Sequence, residues 1–188
     1  FSIERIGTDG DIDRAIKMIE ELDGQVAAFG MGGIDLYLSA GNRRYILREA
    51  KRIARAAKVT PIVDGSGLKN TLERRAIETL VREAPEMFEG KRVLLTCALD
   101  RFGMAQALAE IGCEVLYGDF LFALDLDVPI YSLKAMERVV RVLAPLAVQL
   151  PFKWLYPIGK KQEDKPKAVK FAKYYEWADI IAGDYHQI

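Results

Sequence analysis

This chain has very little of what metal and disulfide frameworks are built from. Two cysteines and one histidine in 188 residues cannot make a conventional zinc site without carboxylates, so no metal is expected. Cys97 and Cys113 both sit in apolar runs and read as core thiols of a reducing cytoplasm, with a disulfide as the lesser alternative. Neither sign of charge is in excess, since 27 Lys and Arg meet 27 Asp and Glu. Such a chain has no overall field to attract nucleic acid or an anionic membrane. No apolar run approaches the ~18 residues of a membrane span, and no signal peptide is expected. Repeats and low-complexity tracts are also missing. The chain opens on Phe1 without a methionine and closes on Ile188 just past a strand-like run, so further sequence is expected at both ends.

What is present is a globular composition, 51% apolar and 29% charged, enough for a real core. The stretch KRVLLTCALDRFGMAQALAEIGCEVLYGD, from Lys91 to Asp119, organises the rest. Val93 to Cys97 is a short branched apolar run that suits a buried strand. Asp100 to Ile111 carries Phe102, Ala105, Leu108, Ala109 and Ile111 largely on one helical stripe. Gly112 ends that helix, and Cys113 to Tyr117 is a second strand. Strand, helix and strand make one βαβ unit, which requires a parallel sheet.

Elements of the same kind flank this unit. Strand patterns are expected at 1–6, 26–29, 34–39, 61–63 and 179–182, with helices at 12–22, 45–58, 68–82, 132–150 and 166–177. Pro145 should kink or divide the helix at 132–150, and 151–165 should be a long loop. The alternation predicts a single α/β domain over 1–188, a doubly wound, Rossmann-like, mostly parallel sheet with a partly helical C-terminal lobe. Within it, 1–90 forms the N-terminal half, 91–119 the central unit, and 120–188 the lobe and last strand. One echo stands out: CEVLYGDF and ADIIAGDY both run from apolar strand into Gly, Asp and an aromatic residue.

Ligands of open α/β sheets bind beyond the carboxyl ends of the strands. Asp64, Asp100, Asp119 and Asp184 all fall at or near predicted strand ends. The turn from Ala98 to Gly103 can be laid on the dinucleotide fingerprint G-x-G-x-x-G. Gly103 then fits the third glycine, and Asp119 the acid that takes a ribose hydroxyl. Ala98 and Asp100 replace the first two glycines, so Arg101 would have to offset a carboxylate near the pyrophosphate. On this reading Gly103, Arg101 and Asp119 hold NAD or NADP.

A second turn, Asp64-Gly65-Ser66-Gly67-Leu68-Lys69-Asn70, joins a strand to a helix with two glycines and a serine. Backbone N–H groups at such a helix N-terminus favour an anion, with Asp64, Gly65, Ser66, Gly67 and Asn70 as the expected lining. Arg43 and Arg44, expected in a nearby loop, suit a phosphate or carboxylate. Lys69 is poorly placed for the helix dipole, so it should reach a ligand or a carboxylate. Lys69 and Asp100 both follow strands, and neighbouring strand ends can bring them together as a proton-transfer pair.

Read together, GGIDLYL, GNRRY, VDGSGLKNTLERR, DRFGMAQAL and WLYPIGKKQ resemble a small bacterial family labelled quinate 5-dehydrogenase. The resemblance implies a Rossmann-like fold and NAD(P)-dependent oxidation of a cyclic polyol acid. It also implies, by analogy, that Lys69 is the catalytic lysine and that Asp100 opens a D-x-x-G segment. The leading expectation is therefore a nicotinamide-dependent oxidoreductase acting on a small hydroxylated acid such as quinate or shikimate. A second is a non-redox protein that binds a nucleotide or phosphorylated metabolite at the Asp64 to Asn70 turn. A third is a homo-oligomer whose stretch from Phe120 to Leu150 buries against a partner.

Overall fold

The computed structural model describes residues 2–40, 43–151 and 170–184. Asp11 opens α1 (Ile12–Leu22) by accepting the Arg14 N–H at 2.9 Å. Past its end, the Asp23 carboxylate accepts N–H groups of Lys58, Val59 and Thr60 at 2.6, 3.1 and 2.7 Å. That clamp brings β4 (Ile62–Val63) alongside β1 (Phe29–Gly30), and the two pair in parallel. Residues 2–8 form no regular element, although their alternation suits a strand. Ile3 is 92% exposed, and without a neighbouring strand the alternation has no apolar face to bury.

The expected strand at 34–39 is half of a hairpin. β2 (Tyr37–Ala40) pairs antiparallel with β3 (Arg43–Ile46), Tyr37 opposite Ile46. Arg43 and Arg44 therefore lie in a strand, not in a loop before a basic helix. That helix is shorter than its charge run: α2 (Arg48–Ala54) buries Ala50 and Ile53. Leu38, Leu47 and Ala50 pack with Val148 of the C-terminal half.

After β4 comes α3 (Ser66–Glu83), which starts at Ser66 and so takes Gly67 into the helix. The central unit follows as expected: β5 (Arg92–Leu95), α4 (Phe102–Glu110) and β6 (Glu114–Tyr117). β7 (Ile180–Ala182) joins the other edge of β5, giving a three-stranded parallel sheet in the order β6-β5-β7. Alternate residues of its strands enter different cores. Val93, Leu95, Val115 and Tyr117 pack with α4 residues and with Met136, Val140 and Ala144 of α6 (Leu133–Ala147). Leu94 and Leu116 face the other way, onto α5 (Asp119–Phe122) and α7 (Ala172–Trp177). Both faces of this sheet are covered, as parallel strands require.

The fold is thus mixed α/β, with two small parallel sheets and one hairpin among the described residues. Pro145 does not divide α6; it sits in the last turn, where buried Ala144 and Val148 hold the helix down. Within the stretch from Phe120 to Leu150, Leu121, Met136 and Val140 are buried while Val142 and Leu146 are exposed. Cys97 and Cys113 are free thiols. The loop expected at 151–165 and the start of the helix at Pro166 lie outside the described residues, apart from Pro151. No helix among the described residues is long and apolar enough to cross a membrane.

The three backbone donors hold the Asp23 carboxyl down at about 2, Thr60 and Lys58 contributing most. A folded value below the ordinary 3.8 means the clamp stabilises above that pH and is lost as pH falls through about 2. NMR titration should place the Asp23 carboxyl near 2, and Asp23→Ala should speed amide exchange at 58–60. An ordinary carboxyl titration with unchanged exchange would contradict the clamp.

Candidate functional site

The parallel strands deliver charged residues to their carboxyl ends. Beyond β1 the chain passes Gly33, which has positive φ, and reaches Asp35. Beyond β4 comes Asp64, whose carboxylate accepts the Leu36 N–H at 2.6 Å and the Ser66 hydroxyl at 2.8 Å. Asp64 thereby fixes the segment that carries Asp35. On the first turn of α3, Lys69 points back into this space. Its Nζ lies 2.5 Å from Asp35 Oδ2 and 2.6 Å from Asp100 Oδ2, Asp100 being in the turn after β5. The three side chains keep 23%, 13% and 18% of their surface open, in the order Lys69, Asp35, Asp100. They are shielded but reachable.

The electrostatics follow from that shielding. Burial pulls the Lys69 value down, but the Asp100 charge and hydrogen bonds to both carboxylates outweigh it, leaving Lys69 above its ordinary 10.5. Lys69 is therefore a cation throughout the neutral range. Burial is the largest influence on Asp35 and raises it; the Lys69 hydrogen bond works against that rise and the Asp100 charge adds to it. Asp35 consequently takes up a proton more readily than an ordinary carboxylate.

A second charged group sits beside the first. Glu73, one helical turn after Lys69 on α3, hydrogen-bonds through Oε1 to the Arg101 guanidinium. Arg101 Nη2 also lies 3.8 Å from Asp184 Oδ2, beyond β7. Burial raises the Glu73 carboxyl even though Arg101 and Lys69 favour its charged form. Glu73 Oε2 and Arg101 Nε are buried without a hydrogen-bond partner.

The structure thus brings Lys69 and Asp100 within hydrogen-bond reach, as neighbouring strand ends allow. It corrects other expectations. Asp119 does not face a ribose: its two oxygens accept the Leu99 N–H at 2.8 Å and the Ala98 N–H at 3.0 Å. The N–H groups at the head of the fingerprint turn are spent on this carboxylate. Arg101 is committed to Glu73 and Asp184, and Gly103 is buried inside α4. These residues do not fit a dinucleotide pyrophosphate. Nor is the Asp64 to Asn70 turn a nest. Gly65 has φ −82°, neither Gly65 nor Gly67 has positive φ, and Ser66 donates to Asp64. The Asn70 side chain lies outside the described residues. Arg43 and Arg44 are exposed on β3, with Arg44 5.7 Å from the centroid of the Tyr37 ring.

Two members of the site escape the sequence reading. Asp35 falls inside the run expected as a strand at 34–39 and not at a strand end, where the acidic site residues are expected. Glu73 had an available signal: it lies at i+4 from Lys69, on the same helix face.

Comparison with known families completes this description. Residues 67–188 match the model of a family described as Domain of unknown function (DUF8754). The chain belongs to that family. Residues 1–64 match a second family, Domain of unknown function (DUF8753). The two matches meet at the turn between β4 and α3, so the site takes Asp35 from one and Lys69, Glu73, Asp100, Arg101 and Asp184 from the other. No curated protein and no solved structure matches the chain.

Burial pushes the Asp119 carboxyl up to about 6, with the Leu99 and Ala98 N–H groups resisting the shift. A folded value above the ordinary 3.8 gives a contribution complete below that pH and lost as pH rises through about 6. Asp119→Asn should abolish that part of the pH dependence of unfolding. It should also cost about 1–3 kcal/mol, because one amide oxygen cannot serve two buried N–H groups. Denaturant unfolding between pH 4 and pH 8 checks both; an unchanged slope and stability would contradict the burial of this group.

Proposed function

We propose that Lys69, Asp35 and Asp100 form the acid–base centre of an enzyme acting on a small hydroxylated substrate. One observation carries the reading: a partly exposed ammonium held within 2.6 Å of two carboxylates, beyond the carboxyl ends of parallel strands. Ligands of α/β sheets bind at that end. Converting an alcohol to a carbonyl requires the hydroxyl proton to leave and the developing oxyanion to be stabilised. Lys69 is the donor for that oxygen, and a neighbouring carboxylate is the acceptor for the proton. Asp35, which burial makes more basic, suits the second task. In the reverse direction the Asp35 carboxyl returns the proton to the carbonyl oxygen, while the Lys69 ammonium keeps its hydrogen bond to that oxygen.

The oxidoreductase reading of this centre needs a hydride carrier. NAD or NADP would supply that chemistry, and it would bind away from the Ala98 to Gly103 turn, whose donors are already used. A doubly wound, Rossmann-like arrangement remains part of the proposal. Its support is the sheet β6-β5-β7, clothed by α4 and α6 on one face and α5 and α7 on the other. The alternative of a phosphate ligand at the Asp64 turn is less well supported. Asp35 and Asp100 already hold Lys69, so a phosphoryl group there would meet two carboxylates for one ammonium.

The test is turnover of a panel of hydroxy acids and polyols, quinate and shikimate included, with NAD or NADP. Lys69→Met should lower kcat by about 100-fold or more, while substrate affinity changes only a few-fold. Lys69→Arg should keep the fold and lose most of the rate, since the larger planar guanidinium cannot place a donor where the compact ammonium meets both carboxylates and the substrate oxygen. Equal turnover by Lys69→Met, or none with any substrate and either cofactor, would contradict the proposal.

A further inference from the structure

A concentration of like charge in this neutral chain lies on α2 and its approach. From Arg43 to Lys58 there are five Arg and two Lys against one acid, Glu49. Arg48, Lys51, Arg52 and Arg55 stand at i, i+3, i+4 and i+7, so they share one face, while Ala50 and Ile53 are buried in the core. All four cations are exposed. On other helices an exposed cation pairs with an acid four residues on, as Lys17 does with Glu21 and Arg74 with Glu78. On α2 the residue four on from Arg48 or Lys51 is another cation, an arrangement that destabilises a helix. Arg52 has an acidic partner, Asp13 at 3.1 Å, and that carboxylate is 85% exposed. Arg48, Lys51 and Arg55 have no side-chain partner among the described residues.

The face is not merely solvated, because it begins in a cleft. The Arg48 N–H donates to the Val148 carbonyl at 2.9 Å, which ties the head of α2 to the end of α6. Beside that contact lies a cleft of about 200 Å³ lined by Arg48, Glu49, Arg52, Gln149 and Pro151. Sites that enclose a whole drug-sized ligand run to about 300–1,000 Å³, so this one fits a head group and leaves the rest of a ligand outside. Its lining is rich in donors: two forked guanidiniums and the Gln149 amide. Glu49, the acid in the wall, is half-buried and has an interaction of its own. Guanidinium forks match the oxygens of a phosphoryl group, and Lys51 and Arg55 carry the same charge further along the helix. The four cations form a purely polar stripe, without the apolar anchors that protein interfaces and membrane-surface helices use.

We propose that this cleft binds the phosphoryl group of a phosphorylated small molecule, with Arg48 and Arg52 as its clamp and Gln149 as a further donor. The exposed Arg52–Asp13 pair is weak enough to yield to such a ligand. The site does not use Lys69, Asp35 or Asp100, and it stands whether or not the acid–base reading of that centre holds.

Titration calorimetry on the full chain at low salt tests it, with fructose 1,6-bisphosphate, citrate and a single-stranded oligonucleotide as probes. The bisphosphate should bind several-fold more tightly than citrate. Arg48→Gln and Arg52→Gln should each weaken its binding about tenfold, about 1.4 kcal/mol, and Gln149→Ala should weaken it several-fold. Arg75→Gln, which removes an exposed cation from α3, and Lys69→Met should leave it unchanged. None of the cleft variants alters a core side chain, so loss of binding is separable from loss of fold by the melting temperature. Failure of the bisphosphate to bind at tens of millimolar overturns the proposal. So does binding that ignores Gln149→Ala and falls equally with Arg75→Gln, which is condensation on a basic surface. Citrate that matches the bisphosphate removes the phosphoryl specificity and overturns it as well. An oligonucleotide that binds more tightly than the bisphosphate and ignores Gln149→Ala makes the face a nucleic-acid contact, not a cleft for a small molecule. Loss of binding in Lys69→Met would put the ligand at the other centre and overturn the assignment to this one.

Discussion

The turn between β5 and α4 is clamped from both sides by the strands that flank β5, and the site depends on that clamp. On one side β6 runs into Gly118-Asp119, whose carboxylate accepts the Ala98 and Leu99 N–H groups. A Cβ on Gly118 would run into the Phe122 ring, so only glycine lets the strand turn this closely into α5. On the other side β7 runs into Gly183-Asp184. Gly183 has φ +130°, and a Cβ there would overlap Thr96 Oγ1. That close approach lets the Asp184 N–H donate to Thr96 Oγ1 at 3.3 Å, and the Asp184 side chain reaches Arg101. Asp100 and Arg101 are consecutive residues of this fixed turn, so one charge faces Lys69 and the next faces Glu73.

The N-terminal half reaches the site through a relay of carboxylates. Asp23 ties the end of α1 to residues 58–60, which sets β4 beside β1. Asp64 at the end of β4 then holds the Leu36 N–H, and Asp35 next to it reaches Lys69. The first two steps satisfy backbone donors just before β4 and β2. At the end of the relay a cation is shared between the two halves. Removing it leaves two shielded carboxylates facing each other, and breaking a buried ion pair on one side costs about 3–5 kcal/mol. Here the partial exposure of all three groups reduces that figure through solvent screening.

Much of this was legible where local chemistry and tertiary position agree. The βαβ unit reads directly from Val93 to Tyr117 because its strands are buried on both faces and so carry unbroken apolar runs. Lys69 reads as an anomaly because a cation opposes the dipole at the start of α3, and the anomaly is resolved by Asp35 and Asp100. The repeated Gly-Asp after β6 and β7 reads as an echo, and the structure gives it one role on both sides of β5. The errors arise where spacing is right but direction is not. Asp119 stands at the distance expected of a ribose-binding acid, yet it points inward because the Ala98 and Leu99 N–H groups need an acceptor. Gly65 and Gly67 look like a phosphate nest, yet α3 begins at Ser66 and takes Gly67 with it. Arg43 and Arg44 look like loop residues because the hairpin pairing of β2 with β3 depends on a partner strand that no single stretch reveals.

All of this converges on the state of one proton-bearing group. The decisive measurement is the ¹⁵N NMR signal of the Lys69 ammonium, followed with pH in the wild type and in Asp35→Asn and Asp100→Asn. The account predicts a slowly exchanging ammonium that titrates above the ordinary 10.5, with each substitution lowering that value separately. A Lys69 signal that titrates as a free lysine and ignores both substitutions would contradict the shared ion pair, and with it the acid–base centre.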